Sequence, residues 1–365
     1  MIHIRRCRPE EFDVLRGFWN ERRGREGPNA HASVPELRRK TYENPFAGAE
    51  GTSWVAWQDG RAVAHLGVVP CPAYHFGRRI ESSWWCDFYA APGSATDSSP
   101  QSAGGLLALK AASLRHGHGL LGTPGIDSRV VQLYQGLGCE YWGAVPFFYQ
   151  VVNGPRLLRE LPLLKRGPWT AKAAGAASYL WAPGKLLELR HRRRRALPRA
   201  MRVNLWREFP SQADELWQKV VNQYPLIFDR SVRHLNWRYH GAIYERLGVF
   251  QEEQLIGWAV GKATQMHGSP YFGDLKVGTL VDLLVDPDDA SDVEAVMGAA
   301  CDRLRELGVD LIVTNLSEAH LTRAARRLGF ATGPSNYHFF TRNLPRLKLH
   351  ECHLTRGDSD GDNRL

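Results

Sequence analysis

The stretch Ser82–Ala90 reads SSWWCDFYA. A loop rich in Pro, Gly and Ser follows it, and residues 105–116 then read GLLALKAASLRH. The aromatic residues of the first stretch favour a β-strand with Trp85, Asp87 and Tyr89 on one face. Residues 104–116 repeat leucine and alanine at helical spacing. A strand, a glycine-bearing loop and a helix in this order present free backbone N–H groups at the helix start, which suit an anion such as a pyrophosphate.

A second strand and helix follow in the sequence. Residues 120–122 form a short apolar run that is typical of a strand. Residues 127–138, DSRVVQLYQGLG, place Tyr134 on the apolar face of a helix that Gly138 would end. The pattern therefore predicts strand, loop, helix, strand and helix in succession.

This order and the ending LYQGLGC resemble the GNAT superfamily of acyl-CoA-dependent N-acyltransferases. In that family the fourth strand leads into a pyrophosphate-binding loop with the pattern Arg/Gln-x-x-Gly-x-Gly/Ala. Gln101 and Gly104 match this pattern, and Leu106 departs from it at the last position. The resemblance implies acetyl-CoA or another acyl-CoA as co-substrate. It also implies a set of cofactor-binding residues: Tyr89, Ala90, Gln101, Ser102, Ala103, Gly104 and Gly105.

The resemblance also implies the catalytic groups. Acyl transfer to an amine needs a polarised thioester carbonyl, a deprotonated amine and a proton for the leaving thiolate. Tyr134 falls where the family commonly has the tyrosine that serves as general acid, and Asp87 and His65 are candidates for the base. Each has a structural alternative: Tyr134 as a core ring, Asp87 as a strand residue kept in both halves, and His65 as a packing histidine.

The second half of the chain repeats the landmarks of the first at a nearly constant offset, which indicates a duplication. The repeated landmarks are Asp87 and Pro92 with Asp282 and Pro287, Val63-Ala64-His65 with Ile256-Gly257-Trp258, and Leu137-Gly138-Cys139 with Leu328-Gly329-Phe330.

We therefore expect an α/β (mixed α+β) fold of two tandem GNAT-like domains, each a mostly antiparallel central sheet flanked by helices. The expected bounds are 1–152 for the catalytic domain, 153–200 for a basic linker, 201–345 for a degenerate domain and 346–365 for a polar tail, of which residues 355–365 are expected to be disordered. Residues 141–152 would close the first sheet. In the second domain Ala325 replaces Tyr134, and the acidic loop PDDASD would repel a pyrophosphate.

Composition bounds the class of protein. The chain has 365 residues, 43% hydrophobic and 23% charged, which is ordinary for a globular protein. Six scattered cysteines without a C-x-x-C pair argue for a reduced, cytoplasmic compartment and against a structural metal site. The N-terminus lacks the apolar core of a signal peptide, and no run is long enough for a membrane helix.

The positive charge is concentrated in one segment. Between positions 156 and 202 there are 13 Lys/Arg and 2 Asp/Glu. The local net charge of 13 − 2 = +11 exceeds the net charge of +9 for the whole chain. A solvated linker is one interpretation, and a peripheral membrane contact through residues 185–202 is the other. Nucleic acid is disfavoured because aromatic residues are sparse in this segment.

The expected function is transfer of an acetyl or other acyl group from acyl-CoA to a small-molecule primary amine. Tandem GNAT-like proteins are often linked to bacterial cell-surface polysaccharide assembly, so an amino sugar is the leading acceptor. Two alternatives stay open: a Fem-type aminoacyl transferase, which needs no CoA loop, and a non-catalytic binding module. The sequence does not identify the acceptor, the acyl chain or the oligomeric state.

Overall fold

The computed structural model describes residues 1–23, 38–39, 42–47, 52–91, 102–114, 117–122, 128–160 and 201–359. The strands of the first half are β1 (Ile2–Arg6), β2 (Ser53–Gln58), β3 (Arg61–Pro70), β4 (Ala73–His75), β5 (Arg78–Ile80), β6 (Ser82–Ala90), β7 (Gly117–Gly122), β8 (Glu140–Ala144) and β9 (Phe147–Val151). Those of the second half are β10 (Met201–Trp206), β11 (Leu226–Phe228), β12 (Tyr244–Gln251), β13 (Gln254–Gln265), β14 (Lys276–Val285), β15 (Leu311–Asn315), β16 (Ala331–Gly333), β17 (His338–Arg342) and β18 (Cys352–His353). The helices are α1 (Phe12–Arg23), α2 (Ala103–Ala112), α3 (Ser128–Gly136), α4 (Gly154–Glu160), α5 (Gln212–Val220), α6 (Val232–Arg238), α7 (Ala290–Glu306) and α8 (Ala319–Arg327).

Two seven-stranded sheets carry the fold. The first has the order β1-β2-β3-β6-β7-β17-β8, and the second has the order β10-β12-β13-β14-β15-β9-β16. A small third sheet, β18-β11-β4-β5, joins strands from both halves. Apart from the parallel pairs β6–β7 and β14–β15, neighbouring strands in the two large sheets run antiparallel. The predicted fold class, mostly antiparallel sheets flanked by helices, is confirmed.

The two large sheets are built in the same order, as the repeated landmarks predict. β6 pairs with β7 from Ser82 opposite Gly117 to Trp84 opposite Gly119. The ladder of β14 with β15 likewise has three pairs, beginning at Val277. Ser82 and Val277 are separated by the same interval as Asp87 and Asp282, so the duplication extends to the register of the strands.

The two sheets also exchange one strand each. β9, from the first half, pairs with β15 and β16 in the second sheet. β17, from the second half, lies between β7 and β8 in the first sheet. The expectation that residues 141–152 close the first sheet is therefore correct for β8, which forms its edge, and wrong for β9, which lies in the second sheet. Each exchanged strand buries a phenylalanine, Phe148 or Phe339, in the core that it enters, so the exchange gives both strands a hydrophobic environment.

The polar tail was predicted wrongly in part. β18 lies beside β11, and Leu354, Thr355, Asp358 and Ser359 are buried. A buried arginine, Arg230, balances the charge of Asp358 at 2.9 Å. The ion pair and the small side chains explain why a polar segment is ordered here; residues 360–365 lie outside the described part of the chain.

The residue types predict the β2–β3 turn correctly, but they predict the helix caps less well. Asp59 and Gly60 both have positive φ in the β2–β3 turn, as the Asp-Gly dipeptide predicts. The cap of α7 is Asp289, because its carboxylate reaches two amides of the first turn. Ser211 precedes α5 but makes no side-chain cap bond.

Helices cover both sheets and place the cores between them. α2 packs on the first sheet through Leu107 and Ala111, and α7 packs on the second through Val296 and Leu304. Within the described residues, no helix combines the length and the apolar character required to cross a membrane.

Candidate active site

The first sheet is split between β6 and β7. Their parallel ladder ends at Trp84, although β6 continues to Ala90 and β7 continues to Gly122. A split of this kind is where the family resemblance places the pantetheine arm of CoA. Three of the candidate residues, Asp87, Tyr89 and Ala90, lie in the part of β6 beyond the end of this ladder.

A β-bulge shapes the β6 side of the split. Between the pairs His65–Tyr89 and Gly67–Cys86, β6 has one residue more than β3. Asp87 lies in this bulge with φ of 51°, a left-handed conformation that few non-glycine residues adopt. His65 is buried, and its Nδ1 lies 2.9 Å from the Asp87 carbonyl oxygen, so that nitrogen donates and the ring holds the bulge in place.

The bulge reverses the alternation of side chains along β6. Trp85 packs in the cluster that contains Leu107 of α2, and Phe88 and Ala90 pack against the same cluster. Tyr89 instead packs against the cluster of α1. The expectation that Trp85 and Tyr89 share a face is therefore wrong, since the extra residue shifts the two-residue period by one.

The start of α2 faces this strand end. Ser102 is the N-cap, and its Oγ accepts a hydrogen bond from Gly105 N at 2.9 Å. The first intrahelical bond runs from Leu106 N to the Ser102 carbonyl at 2.8 Å, so the amides of Ala103 and Gly104 precede the helical ladder. A Cβ on Gly104 would lie 3.2 Å from the Phe88 ring, which explains the glycine: helix and strand approach closely here.

The predicted cofactor residues are thus distributed unevenly. Ser102, Ala103, Gly104 and Gly105 form the first turn of α2 and are buried. Ala90 and Tyr89 end β6 on opposite faces. Gln101, which matches the first position of the family pattern, lies outside the described residues.

Tyr134 lies on the same side of the sheet as α2. Its half-buried ring packs edge-on against Trp85 at 6.1 Å and against Phe340 at 5.5 Å between centroids. Trp85 belongs to β6, and Phe340 belongs to the exchanged strand β17. The phenol ring is therefore positioned by both halves of the chain, beside the strand where the sheet splits.

The position of Tyr134 is structurally equivalent to that of Ala325. Cys139 N donates to the Tyr134 carbonyl at 2.9 Å after α3, and Phe330 N donates to the Ala325 carbonyl at 3.0 Å after α8. The glycines that follow, Gly138 and Gly329, have φ of 79° and 88°. Both helices end in the same C-cap motif, so the pairing of a phenol in the first half with a methyl group in the second is confirmed.

The helix starts of the two halves also differ. Asp289 caps α7, where its carboxylate accepts hydrogen bonds from Ser291 N at 2.9 Å and Asp292 N at 3.2 Å. These bonds hold the pKa of Asp289 below its usual range, with the Ser291 hydroxyl bond as the largest cause. An anion would have to compete with this carboxylate, whereas at α2 the capping group is the neutral Ser102.

Sequence reasoning missed two groups at the split. His118, in β7, accepts or donates a 2.8 Å bond with Ser83 Oγ and packs against Trp85 at the base of the split. Ser359, near the C-terminus, places its Oγ 3.5 Å from the Cys86 Sγ in β6. Only the unusual histidine in GHGLLG could have drawn attention to His118, and no sequence pattern connects position 359 to position 86.

Cysteine and metal chemistry receive no support among the described residues. The six cysteines are buried and form no disulfide, and burial raises the pKa of the Cys139 thiol to about 11. A thiol with so high a pKa is a poor nucleophile near neutral pH. The described residues contain no cluster of three or more His, Cys, Asp or Glu side chains arranged to hold a metal ion.

Comparisons with proteins of known structure identify the fold. No protein-family model matches the sequence, and no curated protein matches it significantly. A GCN5-related N-acetyltransferase from Anabaena variabilis superimposes with a TM-score of 0.59 at 10% identity, covering 94% of this chain and 72% of that one. The N-myristoyltransferase of Saccharomyces cerevisiae with bound myristoyl-CoA gives 0.58 at 12% identity, covering 95% and 84%. A tandem GNAT protein from the clavulanic acid biosynthesis pathway gives 0.50 at 14% identity, covering 95% and 100%. The chain therefore shares the fold of GNAT acyltransferases, built twice.

Proposed function

We propose that the chain is an acyl-CoA-dependent N-acyltransferase whose working site is the split between β6 and β7. The observation that carries the proposal is the combination of that split with the start of α2 and the ring of Tyr134 on one side of the first sheet. The second half lacks the phenol and has an acidic cap on its helix.

The binding mode follows from the backbone. The pyrophosphate of acetyl-CoA, or of another acyl-CoA, would lie at the first turn of α2, near the amides of Ala103 and Gly104. The pantetheine arm would lie along β6 beyond Trp84, where the ladder to β7 has ended. Residues 89–90 would line its path.

The chemistry requires one bond to form and one to break. The amine nitrogen attacks the thioester carbonyl carbon, and the C–S bond breaks as the CoA thiolate leaves. The Tyr134 hydroxyl would give its proton to that thiolate. A neutral phenol, with an ordinary pKa of about 10, holds this proton at pH 7.

Asp87 is the candidate base of this reaction. Its side chain is half-buried at the bulge, next to the proposed thioester path. It would take the proton of the ammonium group directly or through water. His65 has a supporting role in this scheme, since its Nδ1 is engaged with the Asp87 carbonyl oxygen.

For the acceptor we propose a small-molecule primary amine, with an amino sugar of a cell-surface polysaccharide precursor as the first candidate. The support for the amino sugar is the resemblance to tandem GNAT-like proteins. A cytoplasmic location and a peripheral membrane contact through residues 185–202 belong to the same proposal; they rest on the cysteine content and the basic sequence.

The binding part is tested by thermal shift and calorimetry with acetyl-CoA. The unmodified chain should be stabilised by acetyl-CoA, and Gly104→Val should lose that stabilisation because its side chain meets Phe88 and crowds the helix start. Gly298→Val is the matched control, since Gly298 also lies in a helix and a Cβ added there would lie 3.8 Å from the nearest atom, in the Leu328 side chain. The Tm of each variant without ligand separates a folding defect from a binding defect.

The catalytic part is tested by release of free CoA thiol with a panel of amino sugars and other primary amines. Amine-dependent thiol release that requires Tyr134 supports the proposal. Absence of a thermal shift with every acyl-CoA tested would contradict it.

One observation favours a second candidate function. Leu106 stands where the family pattern has a small residue, at the half-buried end of the first turn of α2. A Fem-type aminoacyl transferase uses aminoacyl-tRNA and needs no pyrophosphate loop. Transfer from aminoacyl-tRNA together with no binding of acyl-CoA would favour this alternative over the first.

A further inference from the structure

The second sheet is split in the same way as the first. The ladder between β14 and β15 has three pairs and ends at Thr279 opposite Val313. β14 continues to Val285 and β15 to Asn315. A gap therefore opens between these strands, and part of the chain lies in it.

The occupant is the C-terminal segment, residues 352–359. On the β15 side, Leu316 and Thr355 form an antiparallel bridge. Ser317 N donates to the Leu354 carbonyl at 3.1 Å, and Leu354 N donates to Ser317 Oγ at 3.0 Å. The segment thus continues the sheet from the residues that follow β15.

The same segment also bonds to β14. Gly357 N donates to the Val281 carbonyl at 2.6 Å, and Thr355 Oγ1 donates to Asp282 Oδ1 at 2.8 Å. Since it bonds to both diverging strands, the C-terminal segment bridges the gap between them.

Buried charges fix the segment in this position. Arg230, which is 2% exposed, lies 2.9 Å from Asp358 Oδ2 and 3.2 Å from Asp282 Oδ1. Asp358 also accepts a bond from Thr355 N at 2.8 Å. The tail carboxylate and the β14 carboxylate share one guanidinium, so removal of the tail would leave Arg230 with fewer buried partners.

Close packing fixes it as well. A Cβ on Gly357 would lie 2.2 Å from the Tyr239 hydroxyl oxygen and 3.1 Å from the Val281 carbonyl oxygen. Tyr239 is held by a 2.9 Å bond to Asp282 Oδ2, so its hydroxyl has little freedom to move. Only glycine fits at this point of the segment.

We propose that the C-terminal segment is a built-in occupant of the second split: it takes the place that a pantetheine arm would take in a working copy of the fold. The chain accordingly has a single acyl-CoA site, in the first half. The identity of the ligand in this inference rests on the proposed function. The position of the segment is independent of it.

The segment then leads to the first site. After Asp358, the Ser359 carbonyl accepts a hydrogen bond from Arg238, and Ser359 Oγ contacts Cys86 Sγ at 3.5 Å. Cys86 directly precedes Asp87 of the bulge. Asp358, which holds the segment in the second split, is therefore followed directly by Ser359, which contacts β6 of the first split.

Hydrogen–deuterium exchange on the full chain without ligand tests the position of the segment. Amides of residues 354–357 should exchange about 100-fold or more slowly than in an unstructured peptide, because three of them, those of Leu354, Thr355 and Gly357, donate hydrogen bonds within the buried segment or to its neighbours. Gly357→Ala should raise exchange in this segment to near the unstructured rate. Gly298→Ala, whose added Cβ has room, should not.

Equilibrium dialysis with labelled acetyl-CoA tests the number of acyl-CoA sites per chain. We expect one molecule per chain at saturation, with slower exchange at α2 and β6 and no change in residues 354–357. Fast exchange of the segment in the unmodified chain would overturn the proposal, as would its release when acetyl-CoA binds or a count of two. A protected segment without any acetyl-CoA binding would support the sealed split and overturn the proposed function.

Discussion

At the scale of single residues, the Asp87 bulge sets the geometry of the first site. His65 is buried and donates to the Asp87 carbonyl oxygen, which stabilises a left-handed conformation that would otherwise cost about 1–3 kcal/mol. His65 therefore supports the backbone of the bulge, and Asp87 is the residue that we propose as the base.

The pairing of Tyr134 with Ala325 could be predicted from the sequence, because both helices end in a Leu-Gly step that fixes the register. The face of Tyr89 could not. The alternating pattern of β6 does not reveal its extra residue. That residue can be seen only when β6 is paired with β3, where two residues of β6 lie opposite one of β3.

Replacing Tyr134 by Phe tests the general acid. We expect kcat for thiol release to fall about 10²–10³-fold with the KM for acetyl-CoA little changed, since only the proton donor is removed and the ring still packs. Tyr141→Phe is the control, because Tyr141 is exposed and bonds to His338. Equal losses in both variants would argue against a catalytic role for Tyr134.

A buried histidine in the C-terminal segment gives a pH prediction. Burial is the main cause that lowers the pKa of His353 from 6.5 to about 3, and the nearby Arg230 lowers it further. Below pH 6.5 the unfolded chain takes up a proton at this ring and the folded chain does not. Stability is therefore full above pH 6.5 and falls as the pH drops towards 3, with a loss of about 2 kcal/mol at pH 5.

Free energies of unfolding in urea at pH 7.5 and pH 5.0 measure this effect. The variant His353→Gln should lose about 2 kcal/mol less than the unmodified chain over this range. His350→Gln, at an exposed position three residues earlier, should show the unmodified pH dependence. An identical pH dependence in all three proteins would contradict the assignment.

At the scale of elements, the starts of α2 and α7 distinguish the two halves. Ser102 caps the first with a hydroxyl, and Asp289 caps the second with a carboxylate. The acidic character of the second loop could be predicted from PDDASD. Its cap could not be assigned, because Asp289 and Ser291 are both good capping residues two positions apart.

Removal of the α7 cap should destabilise the chain without affecting acyl-CoA binding. For Asp289→Ala we expect a loss of about 1 kcal/mol in the free energy of unfolding, since two amides of the first turn lose their acceptor. Asp288→Ala is the neighbouring control at an exposed position. Urea unfolding gives the stability, and calorimetry should give the same affinity for acetyl-CoA in both variants. A tighter affinity in Asp289→Ala would place the ligand in the second half, because the Asp289 carboxylate competes with an anion at the start of α7.

At the scale of the whole molecule, the two halves are interlocked. β9 and β17 are exchanged, the third sheet mixes strands of both halves, and Phe340 of the second half packs on Tyr134 of the first. The sequence predicted two copies of one plan, because hydrophobic periodicity and turn residues are local. It did not predict the exchange, because equivalent strands of two copies carry similar patterns and either could fill either sheet.

The exchange predicts that the chain unfolds as one unit. Residues 1–152 alone would lack β17, the strand between β7 and β8, and would expose β9 without its partner. Urea unfolding followed by tryptophan fluorescence and by far-ultraviolet circular dichroism should give coincident transitions. Residues 1–152 expressed alone should show no cooperative transition. Two separated transitions in the full chain, or a cooperative fragment, would contradict the interlocked arrangement.

A crystal structure of the chain with bound CoA or a stable acyl-CoA analogue tests the central claim most directly. The account predicts the pantetheine arm between β6 and β7, the pyrophosphate at the first turn of α2, and the thiol end near the Tyr134 hydroxyl, with residues 352–359 still between β14 and β15. Density for the arm between β14 and β15, with the C-terminal segment displaced, would contradict it.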